Sequence, residues 1–478
     1  MIQIPLALRK LIRYYVKKSK FFSSIYSVLY PLYVKLMLGN NIYHLWISKN
    51  ESAIYKHRVS LSHRFEFEPL ISVVMPVWKI STKILNQAIQ SVLEQTYEKW
   101  ELCIACAEPT DEIRNLLNTF SQKDQRIKVI FLPNNLGIAL NSNEAIKLAH
   151  GEYITFLDHD DVLAPFALYE IVLALQNHRG ADLIYSDEDL IAANGKTRFF
   201  PHFKPAYSPD LLRSINYITH MMIIRKELGD QLGWFRKGFD GAQDYDLALR
   251  VAEKASIIIH IPKVLYHWRQ SNFSSTNNNF ASQEKFKAHL AGERALRDHL
   301  RRNNLDAQVY PGPDLTTYRV KYRLSNHPLV SIIIPNKDMP EYLENLVYSI
   351  LEDSTYNNFE IIIMENNSSD PNIQKLYESL KSFRNVEVYR YSQHFNYSAI
   401  NNVGAKHAKG ELLLFLNNDV KPISPDWLTE MVGHAQREEV GVVGPKLYYI
   451  NKSIQHAGVI IGIRGFAGHS HRGFPYDH

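Results

Sequence analysis

A hexapeptide in this chain returns almost unchanged much further along, and that return restricts the fold more than any other feature. Ile71-Ser72-Val73-Val74-Met75-Pro76 reappears as Val330-Ser331-Ile332-Ile333-Ile334-Pro335. Counted from the two prolines, Trp100 and Phe359 both lie 24 residues on, and Asn143 and Asn402 both lie 67 on. Gly151 and Gly410 lie 75 on, and Asp158 and Asn417 lie 82 on. Agreement without a gap over such a span identifies two copies of one structural unit.

Within the first copy, short apolar runs alternate with helical periodicity. Strands are expected at Ile71–Met75, Leu102–Ala105, Ile127–Leu132 and Tyr153–Leu157. Helices are expected where Ile84, Ala88 and Val92 recur at four-residue spacing, around Ile113–Phe120, and after Gly137. Such alternation produces an α/β fold with a largely parallel, doubly wound sheet. Ser271–Asn279, rich in Ser and Asn, reads as a loop, and Tyr310-Pro311-Gly312-Pro313 marks the linker. The expected organisation is a basic N-terminal segment (1–65), a first domain (66–310), a linker (311–328) and a partial second domain (329–478).

Charge is distributed unevenly. The net charge is only +5, yet residues 1–50 carry eight Lys or Arg and no acid, leaving −3 on the remaining 428 residues. A body with that balance has no electrostatic footprint for nucleic acid. Leu8, Leu11, Ile12, Tyr15 and Phe22 share one helical face, with Arg9, Arg13, Lys17 and Lys20 opposite. A basic amphipathic helix of this kind suits an anionic membrane surface. The apolar stretch Phe21 to Val34 is too short to span a bilayer, is interrupted by Pro31, and lacks a signal-peptide cleavage site. Cys103 and Cys106, the only cysteines, make no disulfide framework, which fits a reducing cytoplasmic compartment.

The chemistry concentrates in acidic clusters at strand ends. Asp158-His159-Asp160-Asp161, an Asp-x-Asp pattern, follows the run Tyr153 to Leu157. Clustered carboxylates repel one another, and at the carboxyl end of a strand in an open α/β sheet a ligand or hard cation offsets them. Ser186-Asp187-Glu188-Asp189 follows another apolar run, Leu183-Ile184-Tyr185. Gln243-Asp244-Tyr245-Asp246 opens a helical stretch, where both acids could simply compensate the helix dipole. Tyr266-His267-Trp268-Arg269 adds an imidazole and a cation.

The order of Pro76-Val77-Trp78, Asp158-His159-Asp160-Asp161, Gln243-Asp244-Tyr245-Asp246-Leu247 and His267-Trp268-Arg269 resembles family 2 glycosyltransferases, over roughly residues 66–478. Phe203-Lys204-Pro205, Ser208-Pro209-Asp210-Leu211-Leu212 and Gly238-Phe239-Asp240-Gly241 further resemble a tandem bacterial subgroup that builds surface polysaccharide. The resemblance implies the GT-A fold, here in tandem with a second, incomplete GT-A domain, and inversion at the anomeric carbon. It implies a metal-dependent hexosyl- or deoxyhexosyl-transferase using Mn²⁺ or Mg²⁺, a nucleotide-sugar donor and a glycan or lipid-linked acceptor. Asp160 and His267 would hold the metal, Asp158 the donor ribose or sugar, and Asp244 would be the general base. Pro76, Val77 and Trp78 would border the nucleobase, and Arg269 would steady the diphosphate. The implied location is the inner face of a bacterial plasma membrane.

Two departures qualify this picture. Family members carry an acid thirty residues past the proline, where this chain has Cys106 in the first copy and Glu365 in the second. Glu108 could replace Cys106 through a shifted loop. The second copy keeps Asp419 at the metal position but has Asn417 opposite Asp158, and counterparts of Asp244 and His267 would fall beyond residue 478. That copy is expected not to transfer sugar alone. A non-catalytic nucleotide-sugar- or glycan-binding protein is the rival, opposed by the dispersed Asp158, Asp160, Asp244 and His267. A nucleotidyltransferase would need a Gly-rich, basic first loop, which is missing. His456-Ala457-Gly458 and His469-Ser470-His471 lack partners at metal-ligand spacing and read as part of the fold.

Overall fold

The computed structural model describes residues 41–59, 65–270, 278–462 and 466–476. The basic amphipathic stretch and most of the Ser271–Asn279 loop therefore lie outside the described residues. The chain forms two compact units, Met1–Asn304 with Pro311–Arg319, and Leu305–Tyr310 with Val320–His478.

The first unit opens with α1 (Asn41–Val59). It then alternates β1 (Ile71–Val77), α2 (Thr82–Leu93), β2 (Trp100–Ala107), α3 (Asp111–Lys123), β3 (Ile127–Leu132), α4 (Ile138–Ile146) and β4 (Tyr153–Phe156). After β5 (Val162–Leu163) and α5 (Ala167–Asn177) come β6 (Leu183–Ile191), β7 (Arg198–His202), α6 (Pro209–Leu212) and β8 (Met222–Arg225). The unit continues with α7 (Lys226–Leu232), α8 (Gln243–Lys254), β9 (Ile258–Arg269) and α9 (Asn278–Arg302). One sheet of order β3-β2-β1-β4-β8-β6-β9-β5 results, with β7 paired to β6.

Strands β3, β2, β1 and β4 run parallel. Strand β8 is antiparallel to both β4 and β6, and β6 is parallel to β9. The carboxyl ends of β1, β4, β6 and β9 therefore share one edge of the sheet, the edge at which such sheets bind ligands. Every residue of β1 and β2 is buried, as expected of central parallel strands covered on both faces. Helices α2 and α3 start where Ser81 and Thr110 accept hydrogen bonds from the amides of Ile84 and Ile113. Both cysteines are buried and free.

Between the repeats lie β10 (Ala307–Pro311) and β11 (Tyr318–Tyr322), so the expected linker carries strand structure. The second unit then repeats the first with β12 (Val330–Asn336), α10 (Pro340–Asp353), β13 (Phe359–Glu365), α11 (Pro371–Leu380), β14 (Val386–Arg390), α12 (Tyr397–His407) and β15 (Leu412–Phe415). These strands form a parallel sheet of order β14-β13-β12-β15. Helix α13 (Trp427–Ala435) and four short strands follow.

The repeat extends to a buried polar device. Ser72 donates to Glu101 Oε1 at 2.7 Å, and the Gly151 amide donates to Ser72 Oγ at 2.9 Å. In the second unit Ser331 donates to Glu360 Oε1 at 2.6 Å and the Gly410 amide to Ser331 Oγ at 2.8 Å. A Cβ on Gly151 would lie 2.6 Å from Leu70 O, and one on Gly410 2.5 Å from Leu329 O. Close backbone approach explains why each copy has glycine there. Ile154 in β4 is fully buried beside β8; its counterpart Leu413 in β15 is 44% exposed, the repeat position of β8 falling beyond residue 478.

Candidate functional site

The acidic turn closes through a hydrogen bond from the Asp161 amide to Asp158 O at 3.1 Å. Within it the carboxylates divide their work. Asp161 is fully buried, accepting from Tyr266 Oη at 2.6 Å and from the Arg269 amide at 2.7 Å. It therefore ties the turn to β9. His159 Nδ1 lies 3.0 Å from Pro76 O and ties it to β1. Asp158 and Asp160 remain half-buried at the edge of the sheet. Burial raises the pKa of Asp160, and the Asp158 charge pushes the same way, against His159. Burial followed by the charges of Asp158 and Asp160 raises Asp161 further.

Helix α8 delivers Asp244 to the same place. Asn216 Nδ2 donates to Asp244 Oδ2 at 2.9 Å, and among the described residues no cation pairs with this carboxylate. Burial raises its pKa, opposed by His220 and reinforced by Asp158. Asp246, two residues on, has a different fate: it is fully buried and ion-paired to Arg236 and Arg250. Its role is to hold α8 in place.

His220 carried no signal in the sequence, because the loop before β8 brings it in from a distant segment. Its ring stacks on Tyr266 with centroids 4.5 Å apart and lies tilted 6.2 Å from Trp268. Its amide donates to Glu188 Oε2 at 3.2 Å. Among the described residues, Asp158, Asp161 and His220 form a group whose ligand atoms all lie within 4.8 Å of one another, a spacing that suits a divalent cation. His267 lies elsewhere on β9, beside Val162 and Asp189. Its Nδ1 is 2.6 Å from Asp189 Oδ1, so Nε2 is the nitrogen it could offer to another partner. The structure thus brings Asp158, Asp161, His220 and Asp244 into one neighbourhood, while Asp160 and His267 are not part of the tightest ligand group.

Arg269 donates through Nε to Asp160 O at 2.5 Å, but its Nη1 and Nη2 are buried without a hydrogen-bond partner among the described residues. Two orphaned charged donors beside an acidic turn fit the oxygens of an anionic ligand. This donor set, with the raised carboxyl pKa values, fits a cation and a diphosphate together.

At the end of β1, Pro76 and Val77 are buried and only Trp78 presents its ring, 38% exposed. Cys106 is 1% exposed, its thiol pushed up to about 11 by burial, and it cannot face a ligand. Glu108 can. It adopts a positive φ of 48° at the end of β2, where Trp78 Nε1 donates to its Oε2 at 3.1 Å. The Trp78 hydrogen bond is the main cause of its lowered pKa.

In the second unit Glu365 is consumed internally, accepting from the Ser368 amide at 2.5 Å, from Ser368 Oγ at 2.7 Å, and from Tyr377. Asp419 is exposed, and the adjacent Asn418 donates to Asn336 at 2.7 Å. No second acidic site is assembled there among the described residues.

The Glycosyl transferase family 2 signature matches residues 72–232 and 331–472. Protein y4gI of Sinorhizobium fredii, itself uncharacterized, is 43% identical over 435 residues, covering 90% of this chain and 47% of that protein. The O-antigen biosynthesis protein RfbC of Myxococcus xanthus is 40% identical over 428 residues, covering 89% and 33%. This chain thus spans about half the length of the first relative and a third of the second. Among solved structures, S. aureus TarS 1–349 in complex with UDP-GlcNAc is 18% identical, with 49% of this chain and 72% of that chain covered and a TM-score of 0.38. That likeness is too distant to carry a functional conclusion. With one match in each repeat, together spanning more than half of the sequence, the chain belongs to glycosyl transferase family 2.

Proposed function

We propose that the first unit transfers a sugar from a nucleotide-sugar donor to a glycan or lipid-linked acceptor, with inversion, in bacterial surface-polysaccharide synthesis. The observation that carries this reading is the convergence of Asp244, with its raised pKa and no paired cation, on Asp158 and His220 at the carboxyl edge of the sheet. A general base needs a pKa lifted toward the working pH and a place beside the reacting atoms. The Myxococcus xanthus relative, an O-antigen biosynthesis protein, supports the pathway class.

Asp244 takes the acceptor hydroxyl proton as that oxygen attacks the anomeric carbon of the donor sugar. The bond from this carbon to the diphosphate breaks in line, and its electron pair leaves on the diphosphate. Arg269 Nη1 and Nη2 receive the departing oxygens. Asp158 and Asp160, with Asp161 and His220 behind them and His267 from β9, are the groups that would hold Mn²⁺ or Mg²⁺. Such an ion supplies neutralisation of the charge that develops on the diphosphate. Trp78 stacks on the nucleobase, and Glu108 takes the base or ribose contact that Cys106 cannot make.

Donor hydrolysis by the purified chain against a panel of nucleotide sugars, with and without Mn²⁺, tests this reading. We expect slow turnover of one donor, lost by at least about a hundredfold in Asp160→Asn and Asp244→Asn, and a higher donor KM in Glu108→Gln. Donor binding that survives Asp244→Asn, with no turnover by the unaltered chain even when acceptors are added, would instead indicate a binding protein.

A further inference from the structure

A histidine that ligates a metal uses one ring nitrogen, and the partner of the other sets its tautomer and orientation. For His267 that partner is Asp189, whose Oδ1 lies 2.6 Å from Nδ1. The other oxygen, Asp189 Oδ2, accepts from Tyr43 Oη at 2.6 Å and from Arg198 Nε at 2.6 Å. Arg198 is gripped from its far side by Glu51, with Nη1 to Oε2 at 2.6 Å and Nη2 to Oε1 at 2.8 Å. Nη2 also donates to Tyr43 Oη at 3.2 Å.

Tyr43 and Glu51 both belong to α1, which precedes the repeated sheet. The Asp189 side chain is fully buried, and those of Arg198 and Glu51 are 16% and 12% exposed. Burying two carboxylates and a guanidinium to dock a helix is costly, and apolar residues would dock it as well or better. The charge count indicates what the arrangement does instead. One guanidinium between two carboxylates leaves one net negative charge, and the oxygen not taken by Arg198 or Tyr43 faces His267 Nδ1. That nitrogen is then the donor, so in the neutral imidazole Nε2 is the nitrogen with the lone pair.

We propose that α1 is a positioning element of the donor site: Tyr43, with Arg198 and Glu51, acts through Asp189 to hold His267 with Nδ1 as donor and Nε2 presented to a divalent cation. This rests on the reading of His267 as a metal ligand. Tyr43 and Asp189 touch neither substrate nor metal, and act only through the imidazole.

The test is Mn²⁺ binding to the full chain, followed by the EPR signal of free Mn²⁺, together with the Mn²⁺ dependence of donor hydrolysis. Asp189→Asn should weaken binding by about ten- to a hundredfold. Tyr43→Phe, which removes one hydroxyl, should weaken it by about three- to tenfold, the worth of one hydrogen bond, with kcat at saturating Mn²⁺ unchanged. If Asp189→Asn fails to fold, Tyr43→Phe carries the test alone. Weakened binding in His267→Ala beside unchanged binding in Tyr43→Phe would overturn the inference and leave the ligand reading standing. Unchanged binding in His267→Ala, or no Mn²⁺ binding by the unaltered chain, would overturn the ligand reading and the inference with it.

Discussion

Single residues in this protein take their roles from partners distant in sequence. Asp244 and Asp246 share a helix turn, yet one accepts from the neutral Asn216 amide at the sheet edge and the other is consumed by two arginines. Glu101 shows the stabilising version of the same principle. Burial alone would raise its pKa, but hydrogen bonds from Lys128, Ser72 and the His150 amide outweigh it and hold the carboxyl below the usual range. A depressed carboxyl contributes stability that is fully present above the unfolded-state pKa and lost as pH falls through the folded one. Unfolding by urea should therefore show stability declining below about pH 4.3. Glu101→Gln should cost about 2 kcal/mol at neutral pH and flatten that acid limb. An unchanged acid limb would remove Glu101 from this role.

Among the elements, β4 and β15 are the informative pair. Each ends in an acidic or amide-rich turn at the same repeat position; β4 pairs with the antiparallel β8, whose preceding loop supplies His220, while the repeat position of β8 falls beyond residue 478. At β15, Asn417 and the exposed Asp419 have no such support. Glu365, the acid thirty residues past the second proline, is tied to Ser368 and Tyr377. Asp419→Asn should consequently leave sugar transfer by the full chain within about twofold of the unaltered rate, while Asp160→Asn abolishes it. Comparable losses in both variants, measured on the same donor, would mean that the second unit works as a catalyst.

For the whole molecule, the repeat recurs through the fourth strand, and among the described residues an acidic site is gathered only in the first unit. No helix among the described residues is long and apolar enough to cross a membrane. From the concentration of positive charge in residues 1–50 we propose that the chain works at an anionic membrane surface. Co-sedimentation with vesicles containing phosphatidylglycerol should be strong at low salt and fall steeply as salt rises. Equal binding to neutral vesicles would contradict an electrostatic attachment. The basic segment precedes α1 in the sequence, and Tyr43 and Glu51 of α1 reach the buried Asp189 cluster.

The repeat, the alternation of strands and helices, and the place of the acidic turn at a strand end were legible in the sequence, because each depends on local periodicity and on proline, glycine and charge at fixed spacing. Gly151 and Gly410 belong to that class, and one close backbone approach explains both. What the tertiary structure alone decided is which polar groups meet. His220 joins Asp158 and Asp161 because β8 pairs with β4 across some sixty residues of chain. Glu108, not Cys106, faces Trp78 because a positive φ turns the chain at the end of β2. Asp189 meets both His267 and Tyr43 because β6 lies beside β9 and under α1. Hydrophobic pattern is written along the chain and can be read there. The pairing of buried charges depends on three-dimensional proximity and desolvation, and no local pattern records it.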